Sequence, residues 1–142
     1  GVYNKPKLIS SATTAEPHRV VSAETAADML SMMETMAQQN ASHTFDVTGY
    51  RVGAKTGTSK KFDTSCNCFR GLVTSAVSVA PVEDPQVLVY AVLDNPKRDG
   101  SAGGSVAGPV VQDVMSVALT RYGVPQSTGK VPRLPISPDK LK

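Results

Sequence analysis

Pro81-Val82-Glu83-Asp84-Pro85 constrains this chain more than any other stretch. Two prolines bracket three residues, and proline neither continues a helix nor donates within a sheet. The stretch is a turn by composition. Before it, residues 70–80 alternate as a strand does, with Val73, Ser75, Val77 and Val79 on one face. Leu72, Thr74, Ala76, Ser78 and Ala80 take the other face. After it, residues 86–93 are apolar on both faces and uncharged, the pattern of a strand buried on both sides. A connection this short joins antiparallel neighbours. A further strand over 50–58, then a polar loop or frayed hairpin over 59–67, extends the pair to a three-stranded meander.

Helical spacing flanks the meander. Ser22 suits an N-cap and Glu24 a first turn. Ala26, Met29, Leu30, Met33, Met36 and Ala37 then recur with helical period, so the spacing predicts a helix over 22–39 with Asp28, Glu34 and Gln38 facing water. The Met stripe reads as core packing rather than an adaptable groove. A second helix is expected over 105–122, with Val106, Val110, Val114 and Ala118 as its apolar row, widened by Val111 and Met115. Pro109 fits only in its first turn, and Gly123 ends it as a C′ residue. Residues 3–11 read as extended, and 13–19, 40–48 and 94–104 as loops. The fold class is α+β: a three-stranded antiparallel meander packed with helices. Residues 1–123 form the folded part. From 124 onward, Pro125, Pro132, Pro135 and Pro138 in a stretch of little apolar content give a Pro-rich disordered tail over 124–142.

Several function classes are disfavoured by charge and cysteine content. The net charge of +3 belongs to the tail, where Lys130, Arg133, Lys140 and Lys142 oppose Asp139. Residues 1–123 hold eleven basic and eleven acidic residues, and no basic stripe with interleaved aromatics, so nucleic acid is not an expected partner. Cys66 and Cys68 are separated by one residue, and His18 and His43 lie far off without finger-like spacing. Neither a metal nor a cofactor is expected, and the redox state of the two thiols stays open. No run of 18 apolar residues exists to span a membrane, and Gly1 opens no signal-peptide pattern.

Chemistry concentrates at Lys55-Thr56-Gly57-Thr58. One cation, two hydroxyls and a bare glycine end the first strand. Alternation puts Lys55 and Gly57 on one face and Thr56 and Thr58 on the other. Gly57 lets a ligand approach the backbone. Such a strand end offers N–H donors, hydroxyls and positive charge to an anionic or carbonyl-bearing ligand. One rival reading is a nucleotide-binding P-loop, because Gly49-(x)4-Ala54-Lys55-Thr56 departs from G-x-x-x-x-G-K-[ST] only at Ala54; that motif must open into a helix, and none is patterned after Thr58. Another is a non-catalytic binding or interaction module.

The chain resembles the C-terminal part of the transpeptidase domain of class B penicillin-binding proteins, and the resemblance runs over roughly residues 3–125. Arg19-Val20-Val21-Ser22 resembles the lead-in to a helix, Lys55-Thr56-Gly57-Thr58 the active-site strand, and Ala80-Pro81 through Asp94-Asn95-Pro96 the following hairpin. Gly103-Gly104-Ser105-Val106-Ala107-Gly108-Pro109 resembles the start of the last helix. The family usually has Gly where Ala54 stands, and its frequent Gly-Thr-Ala lead-in is not found in 40–48.

The resemblance implies a penicillin-binding/serine β-lactamase-like fold, here partial, and a parent enzyme that cross-links peptidoglycan stem peptides at D-Ala-D-Ala and is trapped by β-lactams. It implies that Lys55 supplies positive potential, that Thr56, Gly57 and Thr58 bind the substrate's terminal carboxylate, and that the Thr58 N–H forms half of an oxyanion hole. It also implies a location outside the bacterial cell membrane, an N-terminal anchor, and a missing N-terminal part of the domain, so that these residues are expected to be a fragment. The nucleophile is expected to lie outside this chain. Two S-x-x-K strings, Ser127 to Lys130 and Ser137 to Lys140, come after Lys55 in the Pro-rich tail, and Ser65-Cys66-Asn67 matches S-x-N in the wrong order. All three read as chance, and the fragment alone is expected to be inactive. The strand at 86–93 would keep one edge unpaired, which makes self-association an expected property.

Overall fold

A computed structural model describes residues 1–13, 15–40, 43–97 and 102–128. The tail beyond 128, with its Ser137 to Lys140 string, and residues 98–101 of the breaker-rich loop lie outside the described residues. Two short strands, β1 (Val2–Tyr3) and β2 (His18–Arg19), pair antiparallel. Then come helix α1 (Ala23–Gln38), strands β3 (Gly53–Asp63), β4 (Cys68–Ala80) and β5 (Val87–Asp94), and helix α2 (Gly103–Arg121). The sheet order is β3-β4-β5, antiparallel throughout, which is the expected α+β meander.

The helix ends follow their sequence signals. Ser22 is the N-cap of α1, and its hydroxyl accepts from the Thr25 N–H at 3.0 Å. Gly123 closes α2 at φ +63°, with its N–H donating to Thr120 O and the Val124 N–H to Leu119 O, as a left-handed C′ residue does. Helix α2 starts two residues earlier than expected, so Pro109 stands inside the helix rather than in its first turn.

Cross-strand register fixes two sheet faces. Ala54, Thr56 and Thr58 lie opposite Ser78, Ala76 and Thr74 on one; Gly53, Lys55 and Gly57 lie opposite Val79, Val77 and Ser75 on the other. The first face carries α2. Its core unites Ala54, Ala76, Ala107 and Val111 with Ala37 and Phe45, next to a second cluster of Val52, Ala80, Met115 and Leu119. Four alanines at that centre let helix and sheet approach closely. The buried row of α2 is therefore Ala107, Val111, Met115 and Leu119, whereas Val110 and Val114 of the expected row are exposed. Thr74 and Ser78 bury hydroxyls beneath the helix without a hydrogen-bond partner among the described residues, which is a cost to the fold.

Three further expectations are corrected. Strand β3 runs on to Asp63, where a polar loop or a frayed hairpin was expected; a hairpin forms, and it is not frayed but paired to its tip: Phe62 meets Phe69 edge-on with centroids 5.5 Å apart, and Cys66 and Cys68 form a disulfide. At the end of that strand Asp63 accepts from the Ser65 hydroxyl and N–H, which hold its carboxyl below the ordinary carboxylate range. Strand β5 is not buried on both sides. Leu88, Tyr90 and Val92 are 66%, 61% and 53% exposed, because α2 covers one face only and β5 is a sheet edge among the described residues. Residues 3–11 do not cover that edge; Tyr3 pairs with His18 instead. Third, the tail boundary at 124 falls too early. The Ser127 N–H donates to Gly49 O, the Arg51 N–H to the Ser127 hydroxyl, and the Tyr50 hydroxyl to Val124 O.

Met29 of α1 is exposed, while Glu34, expected to face water, is 1% exposed. Arg51 explains the inversion. Its Nε donates to Glu34 Oε1 at 2.8 Å and its terminal nitrogen to Oε2 at 2.6 Å, a two-pronged pair that Gln38 joins at 3.3 Å. The hydrogen bond to Glu34 raises the Arg51 pKa. The pair ties α1 to the approach to β3. Arg51→Ala should destabilise the fold by about 3–5 kcal/mol, because it leaves a buried carboxylate without its cation. Chemical denaturation of both forms checks this, and a loss below about 1 kcal/mol would mean that Glu34 is solvated in solution.

Candidate active-site strand

The site is built where β3 leaves the core. Gly53 and Ala54 are buried; Lys55 is exposed, Thr56 and Gly57 half-buried, and Thr58 exposed. Helix α1 pins the buried start so tightly that a Cβ on Gly53 would lie 3.2 Å from Met33 Cβ. Ala54 is fully buried and points into the alanine-rich core. A methyl is accommodated there, which accounts for Ala at a position where Gly was the expected residue.

Side chains then diverge as alternation dictates. Lys55 lies on the open face, and its Nζ donates to the carbonyl of Thr56 at 2.6 Å. The ammonium is thus held beside its own strand, near Gly57. A Cβ on Gly57 would sit 2.7 Å from the Ser75 hydroxyl, so the bare glycine leaves room for that hydroxyl on the Lys55 face. Thr56 and Thr58 project from the opposite face towards the start of α2. The Gly103 N–H donates to the Thr58 hydroxyl at 3.1 Å. Sequence reasoning foresaw the alternation of Lys55 and Gly57 against Thr56 and Thr58. It missed the part played by Gly103, although the Gly103-Gly104 pair was visible as a breaker.

The loop expected at 40–48 braces the same corner. The Thr44 hydroxyl donates to Gly104 O at 3.0 Å, and Gly108 leaves room for Thr44. The side-chain amide of Gln112 donates to the carbonyls of His43 and Asp46. The first turns of α2 are therefore fixed from two sides, by the loop and by the strand.

Ser65 and Asn67 are not part of this site. They sit at the hairpin tip, seven and nine residues beyond Thr58, and the Ser65 hydroxyl is bound to Asp63. The five residues that follow Thr58 as far as Asp63 alone span about 17 Å of strand. A P-loop is also ruled out at Lys55, since the chain continues from Thr56 as strand to Asp63 and not as the helix whose N-terminus would hold phosphate. What the strand end presents is an ammonium, two hydroxyls and backbone at an edge, an arrangement suited to a carboxylate or a developing oxyanion.

Comparison with known proteins agrees with this geometry. A family model described as the penicillin binding protein transpeptidase domain matches residues 1–116. Stage V sporulation protein D of Bacillus subtilis is 32% identical over 118 residues, covering 83% of this chain and 18% of that protein. A probable peptidoglycan D,D-transpeptidase PenA of Neisseria flavescens is 36% identical over 107 residues, 75% of this chain and 27% of that protein. Among solved structures, penicillin binding protein 3 from Mycobacterium tuberculosis, complexed with ampicillin, superposes with a TM-score of 0.72 at 28% identity over 87% of this chain and 29% of that one. The chain thus spans less than a third of the length of each of these proteins.

Proposed function

The chain belongs to the penicillin-binding protein transpeptidase domain family, and from that premise we propose that it is the C-terminal, substrate-anchoring part of a peptidoglycan D,D-transpeptidase. The observation that carries the proposal is the strand end itself: Lys55 exposed on one face, Gly57 with the Ser75 hydroxyl beside it, and the Thr58 hydroxyl held by α2 on the other. In the parent a serine oxygen attacks the carbonyl of the D-Ala-D-Ala bond, the C–N bond breaks, and the terminal D-Ala leaves with a proton on its amine. An amine of a second stem peptide then takes the acyl group and frees the serine. Lys55 supplies positive potential, Thr56 and Thr58 anchor the terminal carboxylate, and the Thr58 N–H stabilises the oxyanion. One such donor is worth about 2.7–4 kcal/mol in the transition state. The serine comes from outside this chain, since no S-x-x-K precedes Lys55. β-Lactams acylate the same serine and rest against the same wall. The parent works outside the cell membrane; no described helix here is long and apolar enough to cross one.

Lys55→Ala in the complete transpeptidase should slow acylation by a labelled penicillin about 100-fold. Its thermal midpoint should move little, because Lys55 is exposed and its ammonium donates to its own strand. The isolated 142-residue chain, tested alongside by intact-mass spectrometry, should form no adduct. An unchanged rate in the variant would remove Lys55 from the mechanism, and a stable adduct on the isolated chain would place the nucleophile within it.

The remainder of the domain is also the expected partner of β5. That strand pairs with β4 alone among the described residues, and Leu88, Tyr90 and Val92 stand exposed beside an edge that carries no charge before Asp94. Apolar edges of this kind pair with another strand. Without its complement, the chain should self-associate edge to edge about a two-fold axis. Sedimentation over a concentration series should show a dimer or larger species. A monomer at high concentration with fast-exchanging β5 amides would show that the edge needs no partner.

A further inference from the structure

Among the described residues, helix α2 begins without a side-chain cap at its N-cap position. Its N-cap position is Ala102, which has no side-chain acceptor, and its first turn holds no acidic residue. The first N–H groups of a helix have no partner within it. Here the Gly103 N–H finds one across the fold, in the hydroxyl of Thr58 at 3.1 Å. A hydroxyl has one proton to donate and two lone pairs to accept with. Once a lone pair is taken by Gly103, the Thr58 proton is left to point at some other acceptor.

Space gives a second, independent constraint at the same residue. A Cβ on Gly103 would fall on the carbonyl oxygen of Ser75, and would lie 2.6 Å from Gly57 O and 3.1 Å from Gly57 N. All three are backbone atoms, so no side-chain rotation relieves the overlap. Gly57 is the residue between the two anchoring threonines. Any side chain at position 103 must therefore displace β3 between Thr56 and Thr58, or lift α2 away and break the bond to Thr58. The glycine is needed for room and not for an unusual backbone angle, since its φ is not positive.

We infer that Gly103 is a positioning residue for the anchoring strand: its N–H orients the Thr58 hydroxyl as a donor towards the ligand, and its missing side chain sets the distance between α2 and β3. The role rests on the proposed function, in which Thr58 meets the substrate's carboxylate. It also favours a ligand that brings an acceptor to this wall, for the helix engages one lone pair of the hydroxyl and leaves its proton to donate.

The test uses the complete transpeptidase, with β-lactam acylation resolved into binding and chemical steps, and with hydrogen exchange followed at the Gly103 amide. Gly103→Ala should lower the acylation efficiency about 10–100-fold, the scale of a catalytic group misplaced by about 1 Å. Thr58→Val should lower it as well, and the double variant should fall no more than about twofold below the worse single one, because both break the same contact. The Gly103 amide should stay protected in Thr58→Ser and exchange at least about tenfold faster in Thr58→Val. Full activity of Gly103→Ala, or multiplying losses in the double variant, would overturn the inference. If Gly103→Ala does not fold, exchange decides: equal protection in Thr58→Val and the unaltered protein overturns it. If Thr58→Val acylates normally while its Gly103 amide loses protection, the contact is a helix cap only, and it is the anchoring role of Thr58 that fails.

Discussion

The close approach of α2 to the sheet is the contact on which the other features depend. It is made by residues with almost no side chain: Gly103 and Ala107 on the helix, Ala54 and Ala76 on the strands. Each buries little apolar area, so the contact is not strong by area alone. What it provides is distance. A helix seated this closely can bring its first N–H within hydrogen-bonding reach of a strand hydroxyl. The same seating leaves Met115 and Leu119 to fill the wider space at the other end, beside Val52 and Ala80. Small residues near the site and large ones away from it tilt the packing in favour of the site.

Two other fixtures keep β3 in place. The Glu34–Arg51 pair secures the segment before it to α1, and Gly53 lets α1 lie directly on the strand. Beyond the site, the hairpin stays paired to Asp63 across an irregularity between Lys60 and Phe62, with the Phe62–Phe69 contact and the disulfide at its tip. The four residues of the site thus lie between a clamped start and a stiffened extension. Rigid presentation of this sort is what an anchoring wall requires, since a displacement of about 1 Å at a reacting group is costly.

Much of this was legible in the residues. The Pro81 to Pro85 turn, the Ser22 cap and the Gly123 stop each act through local chemistry, and local chemistry is written in sequence. The alternation that separates Lys55 from Thr56 follows from strand geometry alone. What escaped notice was decided by partners distant in the chain. Hydrophobicity favoured Val110 and Val114 as the inner row of α2, but the narrow gap over Ala54 and Ala76 admits the row of Ala107 instead. Glu34 reads as a surface carboxylate until Arg51, seventeen residues later, is brought beside it. The polar run at Ser59 to Lys61 reads as loop or frayed hairpin because only its pairing with Val73 and Leu72 holds it extended. Strand β5 reads as doubly buried, and its exposed face marks where more of the domain is expected to belong.

The central claim is that the Thr56–Thr58 edge anchors a carboxylate, with Thr58 oriented by α2. A crystal structure of the complete transpeptidase acylated by a β-lactam tests it most directly. The account predicts the ligand carboxylate within about 3 Å of the Thr58 hydroxyl, that same hydroxyl still accepting from the Gly103 N–H, and Lys55 swung from its strand carbonyl towards the site. A carboxylate bound elsewhere, with Thr58 turned away from both ligand and helix, would contradict it.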